Sequence, residues 1–141
     1  MLADEVVDCH VLVIGSGGAG VRAAIEASQH GDTVLISKTI VGKGGTYRLS
    51  RAVRERVSFA RHDLLAAAPF PAADLILCRN VLIYFTRAEQ ARVVARFAAV
   101  LPTNGVLVLG GTETLPIDPG LFQADLPEAR IYRRTAAAVA T

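Results

Sequence analysis

The run His10-Val11-Leu12-Val13-Ile14-Gly15-Ser16-Gly17-Gly18-Ala19-Gly20 decides the fold. His10 to Ile14 is aliphatic and β-branched without alternation, the pattern of a strand buried on both faces. The glycines behind it are spaced G-x-G-x-x-G between this strand and a helix. Gly15 permits a tight turn, Gly17 lets the backbone approach a pyrophosphate, and Gly20 lets helix and strand pack closely. Val21 to His30 supplies helix formers, Gly31 stops the helix, and Thr33 to Ser37 reads as a second buried strand. The helix start turns free N–H groups and a positive dipole end toward any anion. One part of the dinucleotide pattern is replaced. Where an acid usually closes the second strand, this chain has Ser37-Lys38.

Outward from this βαβ start, Lys38 to Thr46 is a glycine-rich loop, and Ser50 is placed to cap a short helix over Arg51 to Arg56. Val57 to Arg61 reads as a third strand, and Pro69 and Pro71 mark a loop. Asp74 to Cys78 reads as a fourth, central strand. Thr86 with Glu89 forms a capping box, and the helix behind it runs to about Leu101 with Val93, Phe97 and Val100 on one face. Val106 to Leu109 is a fifth strand, Arg130 to Arg133 a final edge strand, and Ala136 to Thr141 a frayed tail. Strands alternating with helices predict a single α/β domain over residues 1–141. Its Rossmann-like, doubly wound and mostly parallel sheet lies between two helical layers. Ligands in such sheets bind beyond the carboxyl ends of the strands, where the strand order reverses. Those ends carry Gly15 to Gly20, Ser37, Lys38, Asp63, Arg79, Asn80, Gly110 and Gly111.

Composition narrows the partners. Hydrophobic residues are 52% and charged residues 20% of the 141, enough to bury a core. A net charge of +2 gives no argument for nucleic acid. Arg48, Arg51, Arg54, Arg56 and Arg61 read first as a solvated face, with a phosphate or acidic-partner patch as the other reading. Cys9 and Cys78 read as reduced core thiols. His10, His30 and His62 show no metal-ligand spacing. The acidic amino-terminal stretch is unlike a signal peptide, and no apolar run is long enough to span a membrane. The expectation is a cytoplasmic monomer with a small-molecule nucleotide partner, no membrane partner and no metal.

Two resemblances sharpen this reading. DCHVLVIGSGGAGVRAAIEASQHGDTVLISKTIVGKGGT, Asp8 to Thr46, resembles the FAD-binding start of the succinate dehydrogenase/fumarate reductase flavoprotein family, which includes L-aspartate oxidase. That family also ends its second strand in Ser-Lys. The resemblance implies that Gly15, Ser16, Gly17, Gly18, Ala19, Gly20, Ser37 and Lys38 line the ADP half of FAD.

From about Tyr47 the chain resembles the carboxy-terminal part of CheR-type chemotaxis-receptor methyltransferases. The residues that carry this are YRLSRAVRERVSFARHDLL and the run DLILCRNVLIYFTRAEQARVVARFAAVLPTNGVLVLGGTETL, Asp74 to Leu115. The resemblance implies that Asp63, Leu64, Arg79, Asn80 and Val81 lie near S-adenosylmethionine and Tyr84 near the methyl-transfer site. The sequence departs from that family at Gly111-Thr112, where His-Ser is usual, and at Asp63, where Asn is usual. On this reading the family's amino-terminal helical domain, acidic cofactor loop and receptor-docking subdomain are expected to be missing. The two resemblances meet at Thr46–Tyr47. They predict a recombined, engineered or fused chain that can bind an FAD- or ADP-type nucleotide without an intact catalytic site. The alternative is a residual S-adenosylmethionine-dependent protein-glutamate O-methyltransferase.

Overall fold

A computed structural model describes residues 9–15, 18–37, 51–67, 69–115 and 120–137. Chain order is β1 (Val11–Ile14), α1 (Gly18–Ala27), β2 (Thr33–Ser37), α2 (Arg51–Arg56), β3 (Val57–Arg61), β4 (Leu75–Cys78), α3 (Arg87–Val100), β5 (Val106–Leu109), β6 (Phe122–Leu126) and β7 (Ile131–Arg134). These strands form one seven-stranded sheet in the order β3-β2-β1-β4-β5-β7-β6. The first five are parallel, and β7 and β6 add an antiparallel edge. The α/β, Rossmann-like reading therefore holds.

Alternate residues of the strands face opposite layers, as the pleat requires. Leu12, Ile14, Val34, Ile36, Ile76, Cys78, Leu107 and Leu109 pack with Val93, Val94, Phe97 and Ala98 of α3. Val11, Val13, Leu35 and Val57 pack with Ala24 of α1. Strands covered on both faces need no alternation of polar and apolar residues, so β1 could be read from its aliphatic run. Among the described residues Phe97, at 0% exposure, is the largest side chain wholly buried. Thr86 accepts from the Glu89 N–H at its Oγ1 while the Glu89 carboxylate accepts from the Thr86 N–H, so the capping box forms as read.

Two expectations need correction. The strand read at Arg130 to Arg133 begins one residue later and is not the edge, because β6 pairs with its outer side. Arg130 itself adopts a left-handed conformation, φ 54°, and turns the chain into β7. The edge strand β6 was not read at all. The loop from Lys38, the cap at Ser50 and the tail beyond Ala137 lie outside the described residues. Of the arginine group, Arg51, Arg56 and Arg61 are exposed, and Arg51 pairs with Glu55 at 2.7 Å.

The register sets Ile14 opposite Ile36 and Cys78, and Cys78 opposite Leu109. The next residues, Gly15, Ser37, Arg79 and Gly110, therefore end their strands side by side. Beyond β1 the chain runs outward to β2 and β3. Beyond β4 it runs the other way to β5. The switch point lies between β1 and β4, at Gly15 and Arg79-Asn80.

Candidate functional site

Gly15 leaves β1 with φ 105°, a conformation suited to glycine. Its N–H donates to the Ile36 carbonyl at 2.9 Å, which fixes the turn to β2. At Gly20 a Cβ would stand 1.9 Å from the Gly15 carbonyl oxygen. The close packing of helix and strand expected of the third motif glycine is thus observed.

Two cavities meet the turn at Gly15. The first, about 160 Å³, is lined by Ile14, Gly15, Ile36, His62, Asp63, Leu64, Leu65 and Phe85. The second, about 310 Å³, has Gly15, Ala19 and Gly20 on one wall and Arg79, Asn80 and Val81 on the other, over Val13 and Leu77. The structure therefore gathers Gly15, Ala19, Gly20, Asp63, Leu64, Arg79, Asn80 and Val81 around one switch point. Gly18 opens α1, and Ser37 ends β2 beside this region. Ser16, Gly17 and Lys38 lie outside the described residues. Tyr84 is 81% exposed on the short 3-10 turn Leu82–Tyr84 and lines neither cavity.

The first cavity is built on a short loop. The Asp63 carboxylate accepts from the Leu65 N–H at 3.0 Å, so the side chain shapes its own turn. Arg96 of α3 reaches over the Phe70 ring, 4.3 Å from its centroid, and donates to the Leu64 carbonyl. His62 lies against Phe70, with ring centroids 4.7 Å apart. Its Nε2 is buried without a hydrogen-bond partner. Burial, and then the Arg96 charge, hold the His62 imidazole below its usual pKa, against a smaller opposing effect of Asp63. Burial and the Arg96 charge both favour the neutral ring.

The second cavity is backed by Glu113, which lies in the Asp74 to Leu115 run that carries the CheR resemblance but is given no site role by it. Glu113 is 4% exposed. Its Oε1 accepts from the N–H groups of Val81 at 3.0 Å and Leu82 at 2.8 Å. Its Oε2 accepts from Asn80 at 2.9 Å and Gly110 at 2.7 Å. A buried carboxylate is costly unless its lone pairs are met, and here four backbone donors meet them. Asn80 stands in the left-handed region, φ 59°. A Cβ at Gly110 would lie 2.4 Å from Asn80 Oδ1 and 2.8 Å from Glu113 Oε2, so only glycine fits that side. Burial, followed by the Glu113 charge, pushes the Cys78 thiol far up and keeps it protonated. Among the described residues no group of three His, Cys, Asp or Glu side chains is arranged to hold a metal ion. Among the same residues no helix is long and apolar enough to cross a membrane.

Comparison with known proteins decides the family. A profile described as CheR methyltransferase, SAM binding domain, matches residues 7–127. The chain belongs to the CheR methyltransferase family.

A chemotaxis protein methyltransferase of Listeria monocytogenes is 45% identical over 83 residues, covering 57% of this chain and 32% of that protein. A probable chemotaxis protein methyltransferase of Rhizobium etli is 31% identical over 109 residues, 76% of this chain and 41% of that one. An uncharacterized 104.1 kDa protein of Rhodobacter capsulatus is 40% identical over 83 residues, 59% of this chain but 9% of its own. The chain thus spans less than half the length of each of these relatives.

Among solved structures, the calicheamicin-biosynthesis methyltransferase CalO1 superposes with a TM-score of 0.56 at 20% identity, covering 76% of this chain and 32% of that one. Human N-acetylserotonin methyltransferase gives 0.54 at 15% identity, covering 72% and 29%. At these identities the likeness is one of fold.

The family match begins at residue 7 and includes the glycine loop. The Rhizobium alignment is longer than the 95 residues from Tyr47 to the end of the chain, so it crosses Thr46–Tyr47 as well. Similarity to methyltransferases is therefore not confined to the part after the expected seam. These comparisons give the flavoprotein half and FAD no support.

Proposed function

We propose that the chain is the cofactor-binding domain of an S-adenosylmethionine-dependent protein methyltransferase whose acceptor is a glutamate carboxylate. The observation that carries this is the Gly15 turn, shared by two cavities at the switch point. Asp63 and Leu64 flank one cavity, and Asn80 and Val81 flank the other.

The residues suit this group. Ile14, Ile36, Leu64 and Phe85 make an apolar slot for a flat ring, with the Asp63 carboxylate at hand to accept from an exocyclic amine. Across Gly15, the second cavity offers backbone and the side chains of Arg79 and Asn80 to the polar amino-acid end. S-adenosylmethionine carries no phosphate, and neither wall needs one. When bound, it would supply an electrophilic methyl group. Gly15 and Gly20 keep the backbone close, Asn80 and Val81 wall the second cavity, and Phe85 walls the first. The exposed Tyr84, beside Phe85, would meet the acceptor protein on this reading.

The test is a titration of the chain with S-adenosylmethionine, S-adenosylhomocysteine, ADP and FAD. Measurable binding of the first two, with ADP and FAD weaker, is expected. Preference for FAD or ADP would return the glycine loop to its flavoprotein reading and refute this one. Labelled methyl transfer to glutamate-bearing receptor peptides, lost in Asn80→Ala, tests the acceptor.

A further inference from the structure

The buried carboxylate behind the second cavity has a use beyond holding β5 to β4. We propose that Glu113 is a positioning residue for the cofactor, fixing Asn80 and Val81 in the one backbone conformation that lets them face the cavity. This rests on the methyltransferase reading above.

Three observations meet at this residue. First, the donors are consecutive: the N–H groups of Asn80, Val81 and Leu82 all converge on one side chain, and Gly110 adds a fourth. Three successive N–H groups point the same way only when the chain curls, and Asn80 curls it with φ 59°. A side-chain residue in that region is disfavoured unless its surroundings over-determine it. Second, each carboxylate oxygen takes two donors. An amide in its place would have one acceptor oxygen and would turn an NH2 toward two of the N–H groups. The site therefore requires the anion, not merely a side chain of that size. Third, two residues of the curl, Asn80 and Val81, form a wall of the second cavity, whereas Glu113 itself does not line it. Glu113 thus acts on a ligand only through them. The Glu113 N–H donates to the Gly110 carbonyl at 3.0 Å, which closes its own turn and ties the carboxylate to the end of β5.

The experiment compares the chain with Glu113→Gln and Glu113→Asp. S-adenosylhomocysteine binding is titrated, and amide hydrogen exchange is followed residue by residue without ligand. In Glu113→Gln we expect affinity to fall about tenfold or more, in line with loss of a charge-assisted hydrogen bond. Exchange should quicken at Asn80, Val81, Leu82 and Gly110 while Leu12 and Ile76 stay protected. Glu113→Asp keeps the anion on a shorter stem and should recover part of the affinity. Should Glu113→Gln fail to fold, Glu113→Asp decides alone by the same two measurements, with affinity between wild type and one-tenth of it expected. Wild-type affinity in a folded Glu113→Gln, or in Glu113→Asp where that is the only folded variant, overturns the proposal. Failure of the unsubstituted chain to bind S-adenosylhomocysteine at all overturns the methyltransferase reading and the positioning role with it. The two failures are therefore told apart by the unsubstituted chain.

Discussion

Arg96, in the third turn of α3, donates from Nη1 to the carbonyl oxygen of Leu64 at 2.5 Å. The bond crosses 32 residues of sequence and joins a helix to the loop that walls the first cavity. The guanidinium also lies over Phe70, which in turn contacts Phe97 with ring centroids 5.2 Å apart. A charged donor, an aromatic face and a core phenylalanine thus hold the Asp63-Leu64 loop against the sheet.

Replacing Arg96 by Met removes the charge-assisted bond and the cation–π contact but keeps much of the stem. The expected loss is about 1.5–3 kcal/mol of unfolding free energy, read from urea denaturation. Cofactor affinity should fall as well, because Leu64 loses its tether. Arg96→Lys should recover little, since a compact ammonium cannot both stack on Phe70 and reach the carbonyl in the same plane. Equal stability in Arg96→Met would show that the contact contributes nothing net.

His62 supplies a pH dependence. Its folded pKa is depressed below the ordinary 6.5 by burial and by Arg96. The unfolded chain therefore takes up a proton more readily than the folded one. Stability from this group is fully present above about 6.5 and is lost as the pH falls from there through the folded value. Thermal melts between neutral pH and 5 should show a falling Tm, and His62→Phe should flatten that part of the profile. A Tm that rose on acidification and lost that rise in the variant would reverse the sign of the argument.

Much of this architecture was legible in the sequence, and particular residues show why. Buried parallel strands write themselves as aliphatic runs, so β1, β2, β4 and β5 stood out. Thr86 and Glu89 act within three residues of each other, so their box needed no fold to be seen. By contrast, β6 is Phe-Gln-Ala-Asp-Leu, with Gln123 to Leu126 exposed and an irregular register at Ala124/Leu126. It carries neither an aliphatic run nor a clean alternation. Glu113 and Arg96 both lie in the run that carries the CheR resemblance, but the resemblance names no role for either. Each works on a partner 31 to 33 residues away, which only the fold brings close. The glycine motif was read correctly as a strand–helix turn at Gly15 and Gly20. Its ligand could not be read from the spacing, because pyrophosphate and S-adenosylmethionine sites both need the backbone close.

Thr86→Ala serves as a contrast to the site variants. It deletes the N-cap acceptor and leaves the Glu89 carboxylate with the Thr86-position N–H alone. A loss of about 1 kcal/mol is expected. Neither Thr86 nor Glu89 lines either of the two cavities that meet at Gly15, so cofactor affinity should match wild type within error. A matching drop in affinity would mean that α3 transmits strain to the site.

Two glycines that the motif treats alike, Gly15 and Gly20, resist replacement for different reasons. At Gly15 a Cβ would find its nearest neighbour, Val81 Cγ2, at 3.6 Å, an ordinary contact. The obstacle there is conformational, since φ 105° is a region that side chains rarely adopt. Gly15→Ala should therefore cost about 1–3 kcal/mol, and the variant should fold. At Gly20 the backbone is helical, but a Cβ would stand 1.9 Å from the Gly15 carbonyl oxygen and 2.9 Å from its carbon. Those are main-chain atoms, so relief requires α1 to move off β1. That movement would open the Ala24 packing against Val11 and Val13. Gly20→Ala should cost more than Gly15→Ala, by about 2 kcal/mol or more, as overpacking against a rigid wall does. Cofactor binding should respond in the same order, because displacement of α1 reshapes the wall made by Ala19 and Gly20, whereas Gly15→Ala leaves α1 in place. Urea denaturation of the two variants, followed by titration of whichever folds, gives the ranking. If Gly20→Ala were the milder change, helix α1 would not press on Gly15 in solution as it does here, and the close approach assigned to Gly20 would be wrong.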